Sequence, residues 1–409
     1  MTLEVTADAS DYGFDPTRLQ RIENHFGHYV NDGRLAGWLT TVTRGGELIY
    51  KASAGHQDRE NGVDMRDDAI FRIYSMTKAI TSVAVMMLYE EGKFDLHDDA
   101  GKWIPSLANP RVQIGGTAAN PKTRAANGPI KIHHLLSHTA GFTYGFTWMH
   151  PVDEMYRKMG YEFGWPKDQT LEGAVEDWAS CPLVCEPGTA WNYSISVDIL
   201  GRLVEIWSGM SLDKFFRTRI LDPLGMHDTD WYVPEEKAER LARLYVPFDG
   251  KCFAYDDIGK AALRWPSMLG GGGGLTSTAY DYNRFTSMLR GAGELDGVRL
   301  LSSRTVELMM RNDLEGNADV ASFAVDDSRG DINMMGVGFG LGFAVLMDQT
   351  KCKTLTSEGS FYWGGAASTA FWVDPVEDIT VNFFTQLLPS TTYPIRRELS
   401  TLIYQALVD

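Results

Sequence analysis

The sequence predicts an α/β protein, one mixed domain built from both ends of the chain with a mostly helical region inserted between them. Three observations predict it. Residues 36–50, AGWLTTVTRGGELIY, have strand composition broken by a turn. Near the other end, GFGLGFAVLMD, STAFWVDP and ITVNFFTQ are rich in β-branched and aromatic residues. Between about 100 and 270, helical patterns alternate with loops rich in Gly, Pro and Asn. The expected limits are 1–85 for the first part of the α/β domain, 86–280 for the helical region, and 281–409 for the second part.

Taken in order, RGGE closes a β-hairpin in 36–50. AIFRIYS is a short apolar run leading into a helix that begins near Ser75, and Gly92 ends that helix. TLEGAVEDWAS, VDILGRLVEIWSG and SLDKFFRTRILDPLG read as helices of the inserted region. GGGGLTSTAYDYNRFTSMLRGAG reads as a loop, then Ser/Thr caps, then a further helix. The last element, YPIRRELSTLIYQALV, is an amphipathic helix.

Composition excludes several functions. The 409 residues carry a net charge of −16 and no basic run of the kind a nucleic-acid groove needs. An anionic membrane surface would repel such a chain, so small molecules are the expected partners. The longest apolar run, around Ile80–Tyr89, is far below the ~20 residues of a membrane span. MTLEVTADASDYGFD lacks the basic start and apolar centre of a signal peptide. Cys181, Cys185, Cys252 and Cys352 are too few for a disulfide scaffold, and Cys181 and Cys185 lack a second pair at zinc spacing, so free buried thiols and a cytoplasmic enzyme are expected.

Ser75 and Lys78 stand three residues apart, on one face of a helix start. A serine there offers a nucleophile, a neighbouring base and an oxyanion donor from its own N–H. A free lysine titrates near about 10.4, so the base role requires burial or a neighbouring cation. The spacing alone is weak evidence: SLDK, from Ser211 to Lys214, repeats it, and there Ser211 reads as an N-cap and Lys214 as exposed. G-x-S-x-G and H-E-x-x-H are both absent from the sequence. His134 and His138 have metal-ligand spacing but no carboxylate beside them, and read as structural. Tyr193 sits at a loop-to-helix junction, where a tyrosine near a lysine can relay a proton or simply pack its ring. Gly364 and Gly365 precede a strand and let backbone approach a ligand, although a plain turn explains them equally.

Five segments in this order, FRIYSMTKAITS, LLSHTAGF, the long run from PGTAWNYS to GMHDT, GGGGLTSTAYDY and WGGAASTAFWVDP, resemble the serine β-lactamase and penicillin-binding-protein superfamily. Within it the chain looks most like the family VIII carboxylesterases. The resemblance implies an antiparallel sheet flanked by helices, and needs neither metal nor organic cofactor. It implies Ser75 as the acylated nucleophile, Lys78 and Tyr193 as general bases, and an oxyanion hole from the N–H groups of Ser75 and Ala366.

Two departures bear on substrate. The lactamase Tyr-x-Asn is Tyr193-Ser194-Ile195 here, and the Lys-Thr-Gly strand motif is Trp363-Gly364-Gly365. An apolar Ile195 cannot bond a β-lactam amide, and an indole replaces the cation that would meet a carboxylate. Losing such a charge-assisted bond forfeits roughly 1.5–3 kcal/mol. Trp363 then supplies an apolar wall; the aromatic loop 141–151 either adds to it, with Tyr144 nearest the pocket, or packs into the core, which explains it equally. Arg396 and Arg397 read as an exposed helix face, with a restored carboxylate site as the alternative. The expected activity is hydrolysis of small or short-chain esters. The alternatives are an acyltransferase of the same fold, a β-lactamase or D-amino-acid peptidase, and, most remotely, an inactive binding protein.

Overall fold

A computed structural model describes residues 3–325 and 334–408. Eight strands form one sheet: β1 (Gly37–Arg44), β2 (Glu47–Asp58), β3 (Val63–Asp64), β4 (Val337–Phe339), β5 (Ala344–Leu346), β6 (Phe361–Gly364), β7 (Ala370–Asp374) and β8 (Ile379–Phe384). Their spatial order is β4-β5-β6-β7-β8-β1-β2-β3, every pair antiparallel. The two ends of the chain therefore meet in the middle of the sheet, where Leu39 lies opposite Phe384 and Val42 opposite Val381.

Alternation along the strands makes two apolar faces. Trp38, Trp372 and Phe383 point to one face, where they meet Leu19, Ile22 and Phe26 of helix α1 (Pro16–Asn31). Leu39, Phe371 and Phe384 point to the other face and join the larger core. That core contains α2 (Thr77–Glu90) and α3 (Ser196–Ser208), which pack on one another, and α4 (Ala279–Arg290), which lies against β7, β8 and β1. The C-terminal helix α5 (Ile395–Tyr404) packs against α1.

Helix α2 is buried from Thr77 through Leu88, the expected fate of a helix that is apolar all round. Each large aliphatic side chain there contributes roughly 1.5–3 kcal/mol through burial. The sequence also held elements that the reading above did not find. Helix α1, the hairpins Arg111–Thr117/Asn120–Ala125 and Tyr245–Phe248/Lys251–Ala254, and a short strand Ile70–Arg72 paired with Thr276–Thr278 are all present. That last strand lies where the sequence suggested only loop and caps, although Thr278 does cap α4 through its side chain. Among the described residues, no helix is long and apolar enough to cross a membrane.

Candidate active site

Ser75 does not open the α-helix itself. It sits in a single 3-10 turn, Tyr74–Met76, between the strand Ile70–Arg72 and α2. Tyr74 holds φ at 42°, a left-handed conformation that costs a non-glycine residue about 1–3 kcal/mol. The sharp turn is fixed on both sides: the Ile73 N–H donates to Leu275 O (3.1 Å), and Thr77 Oγ1 accepts from the Leu275 N–H (3.2 Å).

One helical turn on, Lys78 is 2% exposed. Its Nζ donates to Ser75 Oγ (3.2 Å), Tyr144 Oη (2.8 Å) and Gly272 O (2.6 Å). It also lies 4.7 Å from the Tyr193 ring centroid and 5.2 Å from that of Tyr144. Gly272 is in turn held by Asp198, whose Oδ1 accepts the Gly272 N–H at 2.9 Å. Burial raises the Asp198 carboxyl above the usual range, while Lys78 and the Gly272 N–H oppose that rise. Lys78 is therefore enclosed by three polar partners rather than set on a solvated surface.

The hydroxyl beside Lys78 is that of Tyr144, which sequence reasoning had assigned to the pocket wall. Burial, followed by the charge of Asp198, keeps its phenol well above 10. Tyr193 presents its ring to the lysine and its hydroxyl to Trp363, whose Nε1–H donates to Tyr193 Oη at 3.2 Å. Trp363 is thus a donor as well as an apolar wall. Trp191 stacks on the Tyr193 ring at 6.1 Å and 17°.

The segment after β6 approaches the Ser75 turn closely. A Cβ at Gly365 would collide with the Ile73 carbonyl and with Thr369 Oγ1, so only glycine permits this approach. Ala366 follows immediately, in the hairpin turn joining β6 to β7. Together with Ser75, Tyr144, Tyr193, Ile195, Trp363, Gly364 and Gly365, it lines a cavity of about 690 Å³. Arg396 lies on the wall of the same cavity, donating to Gly365 O (2.9 Å) and Thr369 O (3.1 Å). The exposed-face reading is therefore wrong for Arg396 and right for Arg397. It failed at Arg396 because α5 packs beside β6 and β7, a proximity that no local pattern encodes.

Sequence reasoning passed over Asp198 and Phe163, and reached Phe146 only as part of the aromatic loop 141–151. A carboxylate inside the apolar run VDILGRLV was the available signal for the first. His138 lies beyond the end of its helix (Ile132–Leu136), with φ at 57°, so the two histidines do not share a helical face. Its Nδ1 is 3.3 Å from Ser194 Oγ, and its ring packs 4.9 Å from that of Tyr193. Burial, then Lys78, holds His138 well below its ordinary value. Burial, helped by His133 and Lys131, brings His134 down to about 3. The unfolded chain thus binds protons near pH 6.5 that the fold refuses. The stability from these neutral histidines is present above about 6.5 and is lost as pH falls toward 3. In urea melts between pH 6 and 4, His134→Gln should flatten the acid loss by up to about 1.4 kcal/mol per pH unit. An unchanged slope would mean that His134 is protonated in the fold.

A family model described as Beta-lactamase matches residues 22–405. The chain belongs to the beta-lactamase family. This beta-lactamase family member is 36% identical over 362 residues to protein Rv1367c of Mycobacterium tuberculosis (strain ATCC 25618 / H37Rv), covering 87% of each. It is 29% identical over 407 residues to Esterase EstB of Burkholderia gladioli, covering 94% of each. Among solved structures, EstCE1, described as a hydrolase with promiscuous acyltransferase activity, matches with a TM-score of 0.79 at 26% identity. That match covers 96% of this chain and 98% of the other. The beta-lactamase family member is an enzyme, a serine hydrolase with the beta-lactamase-like fold.

Proposed function

We propose that the protein is a carboxylesterase of the family VIII kind, acting on small or short-chain esters through an acyl-enzyme on Ser75. The observation that carries this reading is the contact of Lys78 Nζ with Ser75 Oγ at 3.2 Å, where Ser75 lines a mostly apolar cavity and Lys78 stands buried behind it. The reacting form carries Lys78 as a neutral amine with its lone pair toward Ser75: Ser75 Oγ attacks the ester carbonyl carbon and its proton passes to Lys78 Nζ, with Tyr193 as the second base. The carbonyl oxygen, now negative, is held by the N–H groups of Ser75 and Ala366. Collapse breaks the C–O bond to the alcohol, which takes up the proton and leaves. Tyr193 Oη accepts from Trp363, so its own O–H remains free to donate to that departing oxygen. Water then attacks the acyl carbon with the same bases and releases the acid and Ser75. The cytoplasm is the compartment we assign, because four cysteines in 409 residues are too few for the disulfide framework of an oxidising compartment.

A serine-directed alkyl phosphonate should add one covalent group, mapped to the peptide containing Ser75, and hydrolysis of p-nitrophenyl butyrate should disappear in step with the labelling. Labelling elsewhere, or full activity after labelling at Ser75, would defeat the assignment. A second reading, acyl transfer, is favoured by the apolar lining around the predicted acyl-enzyme, which disfavours water relative to an alcohol acceptor. Added acceptor alcohol should then yield a new butyrate ester. Unchanged partition to butyric acid at high alcohol would leave hydrolysis as the activity.

A further inference from the structure

From Lys78 outward, three aromatic rings follow one another along the cavity wall. Tyr144 stacks on Phe146 at 4.6 Å and 20°, and Phe146 stacks on Phe163 at 5.2 Å and 23°. All three line the cavity, and Phe163, the outermost, is 55% exposed. An exposed phenylalanine needs no explanation by itself, but one that ends a near-parallel stack rooted at the candidate base does.

The loop that carries the inner two rings is held rigidly. Asp153 is fully buried, and its carboxylate accepts four hydrogen bonds from that loop. The donors are Thr143 Oγ1 (2.8 Å), Thr147 Oγ1 (2.6 Å), Met149 N (2.8 Å) and His150 N (2.9 Å). Arg157 donates to Gly145 O and lays its guanidinium over the Trp148 ring at 3.6 Å. Gly145 itself lies so close to the Tyr161 carbonyl that a Cβ would clash, which locks the 144–147 loop onto the segment leading to Phe163. The same carboxylate caps the helix Pro151–Lys158, and burying it there to order the aromatic loop as well makes sense if the loop must keep its rings aligned before a ligand arrives.

We propose that the Tyr144–Phe146–Phe163 stack is a preformed recognition surface for a flat, ring-bearing group of the ester, carried on its alcohol or its acyl side. The proposal rests on the esterase reading and gives that site its substrate class. Within the stack the rings cover one another's faces, so a flat ring meets their edges, or the outer face of Phe163, in T-shaped or offset contacts that a flexible chain of similar hydrophobicity does not gain. The cavity of about 690 Å³ lies within the range that accommodates a drug-sized ligand, well beyond a short aliphatic ester. Phe146 and Phe163 then act as specificity-determining residues, and Tyr144 joins the stack to the reacting centre.

The test compares kcat/KM for 2-naphthyl acetate against hexyl acetate, and for ethyl 2-naphthoate against ethyl octanoate. In Phe163→Leu and Phe146→Leu the ring-over-chain ratio should fall about three- to tenfold, mostly through KM. The pair in which it falls identifies the side that carries the ring. Ratios equal to wild type in both pairs would overturn the proposal. A further measurement needs no variant: 2-naphthol should inhibit the wild type competitively at lower concentration than 1-octanol, and equal or weaker inhibition would also overturn it. If the wild type hydrolyses none of the four esters, the esterase reading itself fails; hydrolysis without ring preference removes only this inference.

Discussion

Ser75→Ala is expected to lower kcat for p-nitrophenyl butyrate by about 10⁴-fold or more, with the fold intact. The reasoning is local. Ser75 is the residue that the strained Tyr74 turn delivers to the cavity, within reach of Lys78 and next to the close approach of Gly365. Removing Oγ deletes the atom that bonds to carbon, but leaves both proposed oxyanion donors in place. A residual rate above the uncatalysed reaction is therefore expected, because electrostatic stabilisation and binding survive the loss of a nucleophile. Undiminished turnover in purified Ser75→Ala would assign the reaction to a different residue.

Lys78→Ala is expected to lower kcat by about 10³-fold while changing KM little, since the amine serves proton transfer rather than ester binding. It removes the amine shared by Ser75, Tyr144 and Gly272. The side chain is buried, so its truncation leaves a space in which a small amine can be accommodated. Ethylamine should restore part of the lost rate, and more of it as pH rises and the free base becomes abundant. A variant insensitive to added amine, with a wild-type rate, would show that the proton moves through Tyr144 or Tyr193 without the lysine. Lys78→Arg should not substitute, because a planar guanidinium that stays protonated cannot accept the serine proton.

The parts of this fold that were legible in the sequence are those whose burial leaves a local pattern. Helix α2 announces itself because it is apolar on every side and ends at Gly92 with φ of 68°. The central strands are visible because both faces of the sheet are covered, so Phe371 through Val373 and Ile379 through Phe384 are almost continuously apolar or β-branched. The hairpin Arg111–Thr117/Asn120–Ala125 was invisible for the opposite reason: it is mostly exposed, and no face needs an alternating pattern. Helix α1 buries Leu19, Ile22, Phe26 and Tyr29 as a narrow stripe among charged residues, although Asp15 followed by Pro16 was a readable start signal.

The candidate site divides in the same way. Ser75 and Lys78 are neighbours on one turn, so their spacing could be read directly. Tyr144 reaches Lys78 across 66 residues of sequence, and Arg396 reaches Gly365 across 31. Such partners are chosen by packing of distant elements, and nothing in their immediate sequence records it. Asp198 stands between these cases, betrayed by its charge but placed only by the Gly272 loop.

The union of β1 with β8 has a consequence for how the protein comes into being. Leu39 must find Phe384, so the nascent chain leaves the ribosome with its first hairpin complete and one edge of that hairpin open. At about 5–20 residues per second, that edge waits on the order of 20–70 s for its partner strand to be made. Throughout that interval the unpaired backbone of β1 can pair with other chains. The helical middle of the sequence is translated during the wait.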